Sequence, residues 1–173
     1  MLNSFQDNLI KHGWVVERFN KRKKIDLLPE VQQSRIANIP DSLMDIILSY
    51  DAFTNDSDTA WFVTYSSLVN KDEDAFTWNE YELQSIDAAM SQKNIDNTKD
   101  FWSKHFCFMM SVKGGYSHIS IVTSGDDIGK IFWGEEPEYE EVSFLANNFE
   151  EFSIMLSEHV AGIKNNAILA KMV

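Results

Sequence analysis

Apolar residues keep two different periods along this chain. Leu2, Phe5 and Leu9 fall three and four apart, which predicts a helix over about 2–12 that Gly13 ends. "WVVERF" fits a short strand or a second helical stretch equally well. Pro29 marks another helix start. Ile39-Pro40 then precedes "DSLMDIILSY", where Leu43, Ile46, Ile47 and Tyr50 repeat on one buried face. The polar stretch "DAFTNDSDT" predicts a loop, and "AWFVTY" a strand of aromatic and β-branched residues.

Past an acidic turn, "KDED", the helical period returns. Phe76 and Trp78 read as core anchors, and Tyr81, Leu83 and Ile86 predict a partly buried helix to about Met90. "NIDNTKDFWSK" predicts a short helix with Phe101 and Trp102 turned inward. Strands follow. In "HFCFMMSV" both alternating faces are apolar, with His105, Cys107 and Met109 on one and Phe106, Phe108 and Met110 on the other, as in a central strand. "YSHISIVT" puts Ile119 and Ile121 opposite Tyr116, His118 and Ser120, and "GKIFWG" makes a third strand. Gly114-Gly115 and Ser124 to Asp127 supply the turns of a meander over about 105–134. At the end, "ANNFEEFSIMLSEHV" predicts a helix with Asn147 as N-cap and Glu150 as capping-box partner. Its buried stripe is Phe149, Phe152, Leu156, His159 and Val160, and the tail from Lys164 is helical or frayed. The pattern therefore predicts an α+β fold, a central, largely antiparallel sheet packed against N- and C-terminal helices, in a single domain over 1–173.

Charge sharpens this picture. Residues 1–35 hold seven Lys/Arg against four Asp/Glu, a balance of +3, and the remainder hold eight against 23, a balance of −15. Such a body repels nucleic acid and anionic lipid and attracts a basic partner. "KRKK", 21–24, reads as an exposed turn. No apolar run reaches the ~18 residues of a membrane helix, and "MLNSFQDNLIKHGW" lacks the features of a secretory leader. The lone Cys107 fits a reducing compartment. The expectation is a cytoplasmic protein.

The residues offer no catalytic, cofactor or metal site. "GDDIGKIFWG" has three residues between Gly125 and Gly129 where a phosphate loop needs four, and Ile131 follows Lys130. Counted as a calcium loop from Asp126, its third and fifth positions are Ile128 and Lys130, which offer no ligand oxygen. A hairpin turn remains. "GYSHI" approaches a nucleophile elbow but ends in Ile119 instead of glycine. His105 and Cys107 share a strand face without a second metal motif, so both read as core. "EEPEYEE", 135–141, reads as a solvated acidic edge.

Taken in order, "IPDSLMDIILSYD", "TAWF", "AFTWNEYE", "FWSKHFCFMMSVKGGYSHISI", "GKIFWGEEPE" and "LANNFEEF" resemble the SUKH superfamily, over about residues 25–160. That family includes the yeast Smi/Knr cell-wall-synthesis regulators and many bacterial immunity proteins. The resemblance implies an α+β fold and a non-enzymatic role. Residues matching the family's recurring positions, Pro40, Trp61, Trp78, Gly115, Gly129 and Phe149, look structural. It implies a protein that binds and neutralises a polymorphic toxin delivered between cells. The alternative it leaves is a scaffold or regulatory domain of the cell-wall-regulator kind.

A nuclease toxin holds a polyanion in a basic cleft, which an acidic surface can occupy. The candidate partner-binding residues therefore fall in three patches: Asp72, Glu73 and Asp74; the turn Asp126 and Asp127; and the run Glu135, Glu136, Glu138, Glu140 and Glu141. The expected partner is a cognate basic toxin domain, with no cofactor, nucleic acid or membrane.

Overall fold

The computed structural model describes residues 2–72 and 76–173, with side chains from Phe5 onward. Glu73 and Asp74, and the side chain of Leu2, lie outside the described residues. Among those described, seven strands form one antiparallel sheet in strict sequence order: β1 (Val15–Arg18), β2 (Tyr50–Thr54), β3 (Ala60–Phe62), β4 (His105–Ser111), β5 (Ser117–Val122), β6 (Ile131–Glu135) and β7 (Ser143–Ala146). Eight α-helices flank it among the same residues. α1 (Leu2–Lys11), α2 (Glu30–Ile36), α3 (Asp41–Ser49) and α4 (Tyr65–Val69) belong to the first part of the chain. α5 (Glu80–Ala88) and α6 (Gln92–Lys104) lie between β3 and β4 in the chain, and α7 (Phe149–Val160) and α8 (Ala167–Met172) follow the sheet. The fold is α+β, as the apolar periods predict.

One face of the sheet carries the larger core. Leu9 of α1, Ile46 and Ile47 of α3, Phe152 of α7 and Leu169 of α8 gather there with Phe53, Phe62, Phe108 and Ile119 of the strands, all of them buried. Each such side chain contributes about 1.5–3 kcal/mol. Tyr81 of α5 and Trp102 of α6 form a second, smaller cluster with Cys107, Met110 and Tyr139 on the opposite face. α2 lies across the end of the sheet where β4 starts and β5 stops. Arg35 donates to the Trp102 carbonyl, and Asn38 Nδ2 donates to the Thr123 carbonyl at 3.1 Å.

The sheet is larger than the meander the pattern predicts. "WVVERF" resolves as strand β1, pairing Val16 with Phe53. The first half of "DAFTNDSDT" is strand as well, since Tyr50 and Phe53 are buried while Asp51 faces solvent. Tyr50 thus opens β2 and does not continue the helix before it. Asn55 makes the turn, its Oδ1 accepting from the amides of Thr59 and Ala60 at 2.8 and 3.0 Å. "AWFVTY" is strand only through Phe62, and Tyr65 begins α4.

A β-bulge overturns the predicted faces of β4. The register shifts between Cys107 and Met109, so Phe106, Phe108 and Met109 enter the larger core and Met110 joins Cys107 in the smaller. An extra residue in a bulge resets the alternation beyond it. On α5 Tyr81 is buried as predicted, but its buried neighbour is Glu82 and the predicted Leu83 is exposed, because Arg35 takes up the Glu82 carboxylate. The N-cap of α7 is Asn148, one residue later than predicted, and its Oδ1 accepts from Glu151 N at 2.8 Å. The capping carboxylate is that of Glu151, which accepts from Asn147 N and Nδ2. The tail forms α8, capped by Asn166.

Candidate interaction surface

The "SGDDIG" stretch is the hairpin turn between β5 and β6. Gly129 N donates to Val122 O and Val122 N to Lys130 O, while Gly125 and Gly129 take φ of +89°. Asp126 and Asp127 are exposed at its tip, and Asp127 pairs with Lys130 at 2.5 Å. Beside it lies an open groove of about 380 Å³, lined by Ile39, Ile121, Ile128, Phe149 and Glu150 among others.

The run 135–141 begins at the opposite end of β6, a five-residue strand spanning about 17 Å. The turn and the run therefore do not form one acidic surface. Of the third patch only Asp72 lies among the described residues. Asp72 is exposed four residues before Phe76, whose ring meets that of Tyr116 at 5.3 Å, and Glu136 Oε1 accepts from Tyr116 N at 2.9 Å.

The run is not a loose solvated edge. Glu136 N donates to Tyr116 O at 2.8 Å. Tyr139 is buried, stacks on Tyr81 at 4.5 Å and 19°, and donates its hydroxyl to Gln84 Oε1 at 2.8 Å. Burial and neighbouring carboxylates push its phenol up to about 12. The Tyr139 carbonyl accepts from His118 Nε2 at 2.9 Å. Glu140 spends both oxygens inward, accepting from Trp102 Nε1 at 2.7 Å and from Ser85 Oγ at 3.1 Å. Glu135 faces Lys171 at 3.6 Å. Glu138 and Glu141, joined by a turn from Glu141 N to Glu138 O at 3.0 Å, are exposed. Of the predicted carboxylates here, Glu140 and Glu136 anchor the loop, and Glu138 and Glu141 are presented to solvent.

Beneath the loop the chemistry is that of a core. Arg35 meets both oxygens of Glu82, at 3.0 and 3.1 Å, and ties α2 to α5 and, through the Trp102 carbonyl, to α6. A cavity of about 10 Å³ beside this pair is lined by Arg35, Glu82, Trp102, His105, Cys107 and Met110. That is room for about one water, far from the 300 Å³ or more of a small-molecule pocket. Burial raises the Cys107 thiol, so it is held protonated. Among the described residues, no group of three His, Cys, Asp or Glu could hold a metal ion, and no helix is long and apolar enough to cross a membrane.

Sequence reasoning turned Trp102 inward but missed its bond to Glu140, and it missed Tyr139 and the Arg35–Glu82 pair as supports of this surface. The available signal was Pro137 and Tyr139 inside the acidic run, since a purely solvated edge has no use for a buried tyrosine. Comparison with profiles of protein families, with curated proteins and with solved structures gives no match.

Proposed function

We propose that this chain is a non-enzymatic, protein-binding domain of the SUKH kind, which acts in the cytoplasm by neutralising a basic toxin domain. A nuclease is the toxin class that its charge fits best. The observation that carries this reading is the acidic loop held from within. Tyr139, Glu140 and Glu136 are fixed to α5, α6 and the β4–β5 turn, so Glu138 and Glu141 are displayed on ordered backbone. Pre-ordered carboxylates cost less entropy on binding than those of a flexible loop. The excess of acids outside the first 35 residues would also steer a basic partner into encounter. The α+β architecture agrees with what the family resemblance implies.

The test is binding kinetics with the product of the adjacent gene. Association should slow steeply from low to physiological salt, where exposed charges beyond about 8–10 Å are screened. Reversing Glu138 and Glu141 to lysine should weaken binding. Salt-independent association, with reversal of each of the three patches silent, would sink the acidic-surface reading. Co-purification with housekeeping proteins instead would favour the scaffold role.

A further inference from the structure

On the face covered by α5 and α6, Phe132 of β6 and Phe144 of β7 stand opposite each other in register and belong to neither apolar core. Their rings meet at 5.9 Å and 81°. The ladder continues inward. His105 meets Phe132 at 6.1 Å and stacks on Phe101 of α6 at 3.9 Å and 7°. The result is a ridge of four rings running from α6 to the edge of the sheet. Phe144, at its outer end, is 51% exposed, and the other three are half-buried.

Charge around the ridge says what it can receive. Glu141 lies three residues before Phe144, at most about 11 Å of chain. At the inner end Trp102, hydrogen-bonded by Glu140, meets Phe101 at 5.0 Å. Two lysines lie near the start of the ridge, and each is already paired: Lys104 with Asp100 at 2.7 Å, Lys130 with Asp127 at 2.5 Å. The ridge thus offers ring faces with the exposed Glu141 close along the chain, and the two lysines beside it are paired. A guanidinium suits such a strip. It is planar, weakly hydrated and able to stack on a ring while its N–H groups reach a carboxylate. Nucleic-acid bases also stack on aromatic platforms, but those platforms need a basic groove for the phosphates, and this surface is acidic.

Resting on the reading of a basic protein partner, we propose that the ridge of Phe101, His105, Phe132 and Phe144 is where that partner docks an arginine, its guanidinium seated on Phe144 and Phe132 with Glu141 accepting from it. The partner is thereby narrowed from any basic surface to one presenting an exposed arginine. Lysine, a compact and strongly hydrated charge, fills this role less well.

The experiment uses the full chain, isotope-labelled, titrated with capped tetra-arginine, tetra-lysine and tetra-citrulline peptides and followed by NMR. Tetra-arginine should move the ring signals of Phe132 and Phe144 and the amides of 141–145, and its own side-chain protons should show ring-current shifts. Tetra-lysine should bind more weakly at these rings, and tetra-citrulline should not bind. Phe144→Leu keeps an apolar residue but removes the π face, and should weaken tetra-arginine about two- to fivefold and tetra-lysine by less. The ring shifts of the unmutated protein stand as an independent reading should that variant fold poorly. Equal binding of arginine and lysine peptides with Phe144→Leu silent would refute the ridge and leave the acidic-surface reading intact. No binding of either cationic peptide would overturn the ridge and weaken that reading with it. Shifts of the same rings by an octathymidylate, with none by tetra-arginine, would replace the arginine with a nucleic-acid base.

Discussion

Gly134 stands where β6 passes between His118 and the carbonyl of Tyr139. A Cβ there would lie 2.5 Å from His118 Nε2 and 2.5 Å from Tyr139 O. The requirement is space, not backbone freedom. Gly134→Ala should therefore separate the His118–Tyr139 hydrogen bond and destabilise the protein by about 1–3 kcal/mol, read as a lower urea midpoint. His118 itself is enclosed by Trp102, Tyr81 and Tyr139, with ring centroids 5.0, 5.9 and 6.3 Å away. Burial pushes its imidazole from 6.5 down to about 4. Unfolded chains take up that proton as the pH falls through 6.5, whereas the folded protein holds out to about 4. Stability from the neutral ring is thus complete above the first value and lost across the window below it, by roughly 3 kcal/mol in full. Desolvation lowers His105 and His159 too, with the same sign. His118→Gln should flatten the slope of stability against pH between these values. An imidazole of His118 titrating near 6.5 in the folded protein would contradict the assignment.

At the scale of elements, the loop between β6 and β7 depends on α5 and α6 for its shape. Removing the Glu140 carboxylate leaves Trp102 Nε1 and Ser85 Oγ without their acceptor. Glu140→Ala should cost about 1.5–3 kcal/mol and speed amide exchange across 136–142. Glu138→Ala, at an exposed position two residues earlier, should stay within about 0.5 kcal/mol. Equal effects of the two would mean that the loop is ordered by its backbone alone. The run "EEPEYEE" shows why sequence under-read this element. Its alternating acids look equivalent, and only the neighbouring helices decide which oxygen is bonded and which is free. The β4 bulge is a similar case. In "HFCFMMS" both faces are apolar, so no polarity mark records where the alternation slips.

Across the whole molecule, the acidic turn and the acidic loop do not act as one surface. The Asp126–Asp127 turn and the 135–141 loop sit at opposite ends of β6, so a partner that covers one need not cover the other. Reversing Glu138 and Glu141 together should slow association or speed dissociation of a basic partner. Reversing Asp126 and Asp127 should change only the long-range steering, and that effect should vanish at high salt. Surface-resonance kinetics across a salt series separates the two. Salt-resistant loss of affinity from the Asp126–Asp127 reversal would move the contact to the turn and its neighbouring groove.

The sequence by itself determined the α+β class, the helix ends at Gly13 and Pro40, the β5–β6 turn, and the burial of Cys107. These follow from local periods and from glycine, proline and short polar side chains that act within a few residues. The extension of the sheet to seven strands, the faces of Met109 and Met110, and the division of labour among Glu136, Glu138, Glu140 and Glu141 were decided only in three dimensions. The physical reason is the same for each. A strand edge, a bulge or a carboxylate is specified by its partner, and those partners lie far away in sequence: Val16 from Phe53, Trp102 from Glu140, Arg35 from Glu82.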